Sequence, residues 1–167
     1  QLEQVVRRFQ QLNLSLKYQI ERLALGWRCR RIPPPPGGWP VLLGISFPKS
    51  GTNLLRQILM AFSQIAPFAD RSFDVFAAFD AETGAPRTPQ DALHFLNVLR
   101  PGDIAAAHFH AWPEVVEQVC TPRYLPFFIY RDPRDVVVSH VFYVTKMAPE
   151  HAHHHYYAEV LKTFDER

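Results

Sequence analysis

Val41-Leu42-Leu43-Gly44-Ile45-Ser46-Phe47-Pro48-Lys49-Ser50-Gly51-Thr52-Asn53-Leu54-Leu55 is the stretch that decides the fold. Its first six residues form a short apolar run suited to a strand buried on both faces. Pro48 and Gly51 break that run. Thr52 or Asn53 can then cap a helix whose apolar residues Leu54, Leu55, Ile58, Leu59 and Phe62 recur at helical spacing. A buried strand that feeds a helix through a tight loop is a building unit of parallel α/β sheets.

Downstream the same alternation continues. Residues 66–90 are loop-rich. Thr88-Pro89 opens a helix carrying Leu93, Leu96 and Val98, which Pro101-Gly102 ends. Asp103 to His108 reads as a strand, Pro113 to Val119 as a helix and Leu125 to Tyr130 as a second apolar strand. Pro133 starts a helix through Val136, Val141 and Val144. The alternation predicts an α/β fold, a three-layer parallel sheet with helices on both faces.

Upstream, Pro33 to Pro36 with Gly37-Gly38 make a stiff linker. Residues 1–31 read as a helix striped by Leu2, Val5, Val6, Phe9, Leu12, Leu16, Ile20 and Leu23. The expectation is a packed helix whose Arg28, Arg30 and Arg31 complement its negative dipole end. The alternative is an amphipathic helix for a membrane surface or a partner. The expected division is an N-terminal helix over 1–32, a linker over 33–40 and a domain over 41–167. Gln1 at the start, and an end at Phe164 to Arg167 within a helical pattern, predict a fragment incomplete at its C-terminus.

Of the 167 residues, 47% are hydrophobic, enough to bury a core and to exclude global disorder. A net charge of +2 argues against a dedicated nucleic-acid binder while permitting a local positive cluster. No apolar run approaches the ~18 residues of a membrane span. Cys29 and Cys120 lie far apart without metal spacing, which points to a reducing, cytoplasmic compartment. His151, His153, His154 and His155 suggest metal ligands, but no nearby cysteine or acidic pair completes a set, so no metal is expected. Trp27, Trp39 and Trp112 read as packing residues.

The loop between strand and helix carries the chemistry. Helix N-termini present unpaired N–H groups and partial positive charge. Gly51 permits close backbone approach, Lys49 adds a full charge, and Ser50 and Thr52 add hydroxyls, which together make an anion cradle. A Walker A loop places Gly immediately before Lys-Ser/Thr; here Pro48 precedes Lys49 and the glycine follows Ser50. A second strand-to-helix junction, Tyr130-Arg131-Asp132-Pro133-Arg134-Asp135-Val136-Val137-Val138-Ser139, sets Arg131 at a strand end with Ser139 eight residues on. Between the junctions, His108 closes a strand, where α/β enzymes place their chemistry, and a histidine there can take a proton near neutral pH. His110, two residues on, is its rival.

Pro48-Lys49-Ser50-Gly51-Thr52 resembles the 5′-phosphosulfate loop of sulfotransferases that use 3′-phosphoadenosine-5′-phosphosulfate (PAPS), and Arg131 with Ser139 resembles that family's 3′-phosphate motif. The resemblance spans residues 41–144. It implies a P-loop NTPase-like fold and transfer of a sulfuryl group from PAPS, as donor co-substrate, to a hydroxyl of a small molecule or glycan. It places the donor against Lys49, Ser50, Gly51, Thr52, Asn53, Arg131 and Ser139, with His108 as general base and no metal. Three departures stand out. Asn53 replaces a second threonine, Leu55 an aromatic, and Ala106 a lysine frequent in cytosolic members. The family's later glycine-rich, basic segment has no counterpart here. The alternatives are an ATP-dependent P-loop kinase and a nucleotide-binding module without catalysis.

Overall fold

The computed structural model describes residues 2–80, 83–161 and 163. A parallel sheet of five strands and its helices make an α/β fold. Helix α1 spans Leu2–Arg31, strand β1 Val41–Ser46 and helix α2 Thr52–Ile65. Strands β2 (Ala69–Asp70) and β3 (Phe76–Ala77) precede α3 (Pro89–Val98), β4 (Asp103–His108), α4 (Pro113–Val119), β5 (Tyr124–Ile129) and α5 (Pro133–Lys146), with a π-helical turn at Tyr156–Val160. The order across the sheet is β2-β4-β1-β5, and β3 also pairs with β4. Leu42 faces Ile104 on one side and Leu125 on the other, which fixes β1 between β4 and β5.

Side chains of alternate parity fill two clusters, as the period of two along a strand requires. Val41, Leu43, Ala105 and Ala107 join Phe95 and Leu96 of α3 and Val115 of α4. Leu42 and Ile104 join Leu55 and Leu59 of α2. At Gly44 helix α2 lies close on β1: a Cβ there would lie 2.9 Å from Leu59 Cδ1 and 3.2 Å from Leu55 Cδ2. Leu55 is thereby committed to the core.

Four expectations are corrected. Neither Thr52 nor Asn53 caps α2; Gly51 holds the N-cap at φ 117°, in the left-handed region that favours glycine. Residues 66–90, read as loop, contain the two short strands, held by pairing to β4 that no local pattern announces. The edge strand opens at Tyr124, a residue earlier than the apolar run, and closes at Ile129. The N-terminal helix is real, but its apolar stripe from Phe9 onward does not pack; the side chains of Leu2, Val5 and Val6 lie outside the described ones. Phe9, Leu12, Leu16, Ile20 and Leu23 are exposed, as is Trp27, whereas Tyr18 and Leu25 are buried beside Ala69.

Asp103 anchors α1. Fully buried at the start of β4, its carboxylate accepts hydrogen bonds from Tyr18 Oη at 3.0 and 3.1 Å and from Arg100 N at 2.8 Å, and Arg22 Nη1 stands 3.3 Å away. A buried carboxylate needs this degree of satisfaction.

Candidate active site

Because β4, β1 and β5 are parallel neighbours, their carboxyl ends open on one edge of the sheet, where open α/β folds bind ligands. Lys49, His108 and Arg131 follow or close these three strands. The loop after β1 is wound tightly. Lys49 has φ 66°, the only positive value outside glycine among the described residues, and Gly51 follows at 117°. Ser50 N donates to Phe47 O at 3.1 Å. Ser50 Oγ lies 2.6 Å from Phe47 O and 3.3 Å from Ile129 O, so its proton is engaged by carbonyls and clasps the loop to the end of β5. Ser50, expected as an anion donor through its hydroxyl, therefore has a structural role, and its side chain is buried.

The first α-helical bond of α2 runs from Leu55 N to Gly51 O at 3.0 Å. The amides of Thr52, Asn53 and Leu54 thus belong to the first turn, which has no intrahelical acceptor to offer them. Among the described residues no side chain caps them. Asn53 is exposed beside this turn. Gly51 packs on β5, and a Cβ there would stand 3.0 Å from Ile129 Cδ1.

His108 is half-buried at the end of β4. Its Nδ1 lies 2.7 Å from the carbonyl oxygen of Ser46. A carbonyl only accepts, so Nδ1 carries the proton and Nε2 of the neutral ring keeps its lone pair. Ser46 Oγ is 3.2 Å from the same Nδ1 and 2.8 Å from Thr52 Oγ1. The Nδ1 proton is thus shared between the Ser46 carbonyl and, at longer range, its hydroxyl, and either hydroxyl of the Ser46–Thr52 pair can donate to the other. Burial lowers the His108 pKa from its ordinary value, and the hydrogen bond to Ser46 opposes the shift. The imidazole is therefore neutral near pH 7, as a base must be. His110 lies beyond β4 and shares no strand face with His108. Its ring sits edge-on to Phe79 and Trp112, each at 4.9 Å between centroids, while Phe109 between the histidines enters the core beside Phe76. Ala106, in the middle of β4, is buried opposite Gly44.

The second junction is built differently from the first. Asp132 caps α5, its Oδ1 accepting from Arg134 N at 2.9 Å, and Arg134 grips both carboxylate oxygens at 3.0 and 2.7 Å. The opening of α5 is thus answered by the chain's own carboxylate rather than left as an amide cradle. Arg131 Nε lies 3.4 Å from Asp135 Oδ2 on the exposed surface. Asp135, Ser139 and Tyr143 recur every four residues and so share one flank of α5. Lys49 Nζ rests 3.6 Å from the centroid of the Tyr143 ring. One helix flank therefore carries Arg131 at its first turn, half-buried Ser139 next and Lys49 at Tyr143. That is a span of roughly 12 Å along the axis. Burial lowers the Lys49 pKa from its ordinary value.

The histidine-rich segment divides. His151 and His153 gather on His140 of α5, with ring centroids 5.4 and 6.4 Å from it and 5.2 Å from each other. His154 donates from Nδ1 to Val144 O at 2.6 Å. Among the described residues no group of three His, Cys, Asp or Glu side chains is placed to hold a metal ion. Ser46 and Tyr143, which join the loop to His108 and to α5, had no sequence motif to announce them. The spacing of Asp135, Ser139 and Tyr143 was the available signal. Compared with family models, curated proteins and solved structures, the chain has no significant match.

Proposed function

We propose that this chain carries the donor site of a sulfotransferase with a three-layer, P-loop NTPase-like fold, moving the sulfuryl group of PAPS to a hydroxyl of a small molecule or glycan. The observation that carries the reading is the α5 flank. It aligns Lys49, at the cradle after β1, Arg131, just past the end of β5, and Ser139, within α5 itself, along one line on the scale of a single nucleoside. A bisphosphorylated adenosine lying along that flank would meet a cation at each end. Arg131 would turn from Asp135 to the 3′-phosphate with the Ser139 hydroxyl beside it, which separates this donor from ATP.

Lys49 and the Thr52–Leu54 amides would take the 5′-phosphosulfate, the lysine swinging off Tyr143 to do so. Nε2 of His108 would take the acceptor's proton as the acceptor oxygen bonds to sulfur. The sulfur–oxygen bond to the phosphate then breaks, and adenosine 3′,5′-bisphosphate leaves with its new charge facing Lys49. The Nδ1–H contact with Ser46 keeps the base in the tautomer this step needs. An aqueous, reducing compartment, the cytoplasm, fits the exposed free thiol of Cys120.

Calorimetry with adenosine 3′,5′-bisphosphate tests the donor site, and labelled PAPS against labelled ATP, each with and without magnesium, tests the chemistry. Metal-independent transfer from PAPS supports the reading. Magnesium-dependent turnover of ATP would replace it with a kinase, and bisphosphate binding without transfer to any hydroxyl would leave a binding module.

A further inference from the structure

Among the described side chains, helix α1 meets the sheet along one side. Tyr18 and Arg22 reach Asp103, Glu21 Oε2 accepts from Asp70 N at 3.0 Å, and Leu25 packs beside Ala69. At about 100° per residue these four positions fall on one side of the helix. Phe9, Leu12, Leu16, Ile20, Leu23 and Trp27 fall within an arc of about 80° on the opposite side. Their side chains are 64, 65, 61, 59, 79 and 76% exposed, so the helix has two working faces, one docked and one turned outward. The outer stripe runs roughly 27 Å from Phe9 to Trp27.

The charge of α1 says what suits that stripe. Its sequence holds seven basic residues, of which Arg22 is paired with Asp103 on the docked face and Lys17 with Glu21, while Arg28, Arg30 and Arg31 follow Trp27, against only Glu3 and Glu21. The whole chain has a net charge of +2, so the remaining residues are net acidic and the basic surplus is concentrated in this one helix. Two copies of so basic a helix, packed stripe to stripe, would repel each other. An anionic lipid surface answers both properties: the headgroups neutralise Lys and Arg while Phe, Leu, Ile and Trp side chains enter the boundary with the acyl chains. No described helix is long and apolar enough to cross a membrane, which is the case for a helix that lies in the interface plane. We propose that α1 lays its outer face on an anionic membrane surface, with the sheet carried on the inner face through Tyr18, Arg22 and Asp103.

The test is co-sedimentation of the full chain with vesicles of phosphatidylcholine, alone or with about a third phosphatidylserine. Binding is expected to the mixed vesicles only and to weaken as salt is raised, because the attraction is screened. The Trp27 emission should shift to the blue on binding, with Trp27→Phe assigning the change. The double variant Leu16→Gln/Leu23→Gln alters exposed positions, and its circular dichroism checks the fold. It should weaken partition by about tenfold for each side chain withdrawn from the lipid. Three results would overturn the proposal. They are no partition to the anionic vesicles, partition that the double variant leaves unchanged, and a dimer in sedimentation equilibrium that the double variant dissolves, since a second copy would then be what covers the stripe.

Discussion

At the scale of single residues, the candidate site separates groups that hold geometry from groups that do chemistry. His108→Ala is expected to lower turnover by about 10²–10⁴-fold, the range for a lost general base, with bisphosphate binding retained in calorimetry. Retained turnover would move the role to another group. Ser46→Ala leaves the backbone carbonyl on Nδ1 and removes the hydroxyl that joins His108 to Thr52. With one acceptor fewer, the imidazolium is less stabilised. The acid limb of the pH–rate profile should therefore shift to lower pH, with a loss of about three- to tenfold in kcat, the worth of one hydrogen bond. Ser46→Thr should restore both. Gly51→Ala combines a left-handed φ of 117° with a contact at 3.0 Å to Ile129. It is expected to destabilise the fold by about 1–3 kcal/mol in denaturant titrations, from backbone strain alone.

At the scale of elements, the helix starts show how far local sequence carries. Thr88 and Asp91 form a reciprocal capping box at α3, with Thr88 N donating to Asp91 Oδ2 at 2.9 Å and Asp91 N to Thr88 Oγ1 at 3.2 Å. Thr88→Ala should cost about 1 kcal/mol by thermal denaturation, with little change at the β1–α2 loop. The Thr88-Pro89 start of α3 was legible because every partner in it lies within four residues. So were the starts and ends of β1 and β4, where apolar runs coincide with buried strands. The two strands between residues 66 and 90 were not legible, since their two residues each are held by Ala69–Asp103 and Phe76–Ala107 pairing across the chain. The cap of α2 was misread because Thr52 offers a good capping side chain. The loop, however, turns through Gly51, and Thr52 Oγ1 is taken up by Ser46. The placement of Lys49, His108 and Arg131 at strand ends was legible. Their connections were not, since Ser46 to His108 spans 62 residues and Lys49 meets Tyr143 only once α5 has been laid across the sheet.

At the scale of the whole molecule, stability answers pH through groups that pull in opposite directions. Burial lowers the pKa of His108, of His140 and of His151; the charges of His151, His153 and Lys49 add to the shift at His140, and at His151 those of His153 and His154 do so against Glu150. A group depressed in the folded state binds fewer protons there than in the unfolded chain. Its contribution is whole above the unfolded value, about 6.5 for imidazole, and is lost as pH falls through the lowered folded value. Asp103 has the opposite sign: burial raises its pKa, while hydrogen bonds from Arg100 and Tyr18 oppose the shift. The folded protein holds that proton more tightly, so its contribution is present in acid and declines as pH rises above about 4. The two windows run toward each other, from about 4 upward and from about 6.5 downward, and the histidines open the upper one. The calorimetric Tm should therefore be level above about pH 7 and fall as pH drops below about 6.5. His140→Gln/His151→Gln should flatten that fall by removing two of the three half-buried imidazoles while leaving the Asp103 anchor of α1 intact. A Tm that climbs on acidification through this range would mean that these rings gain rather than lose protons on folding, and that the packing of His140 against His151 and His153 is not the arrangement in solution.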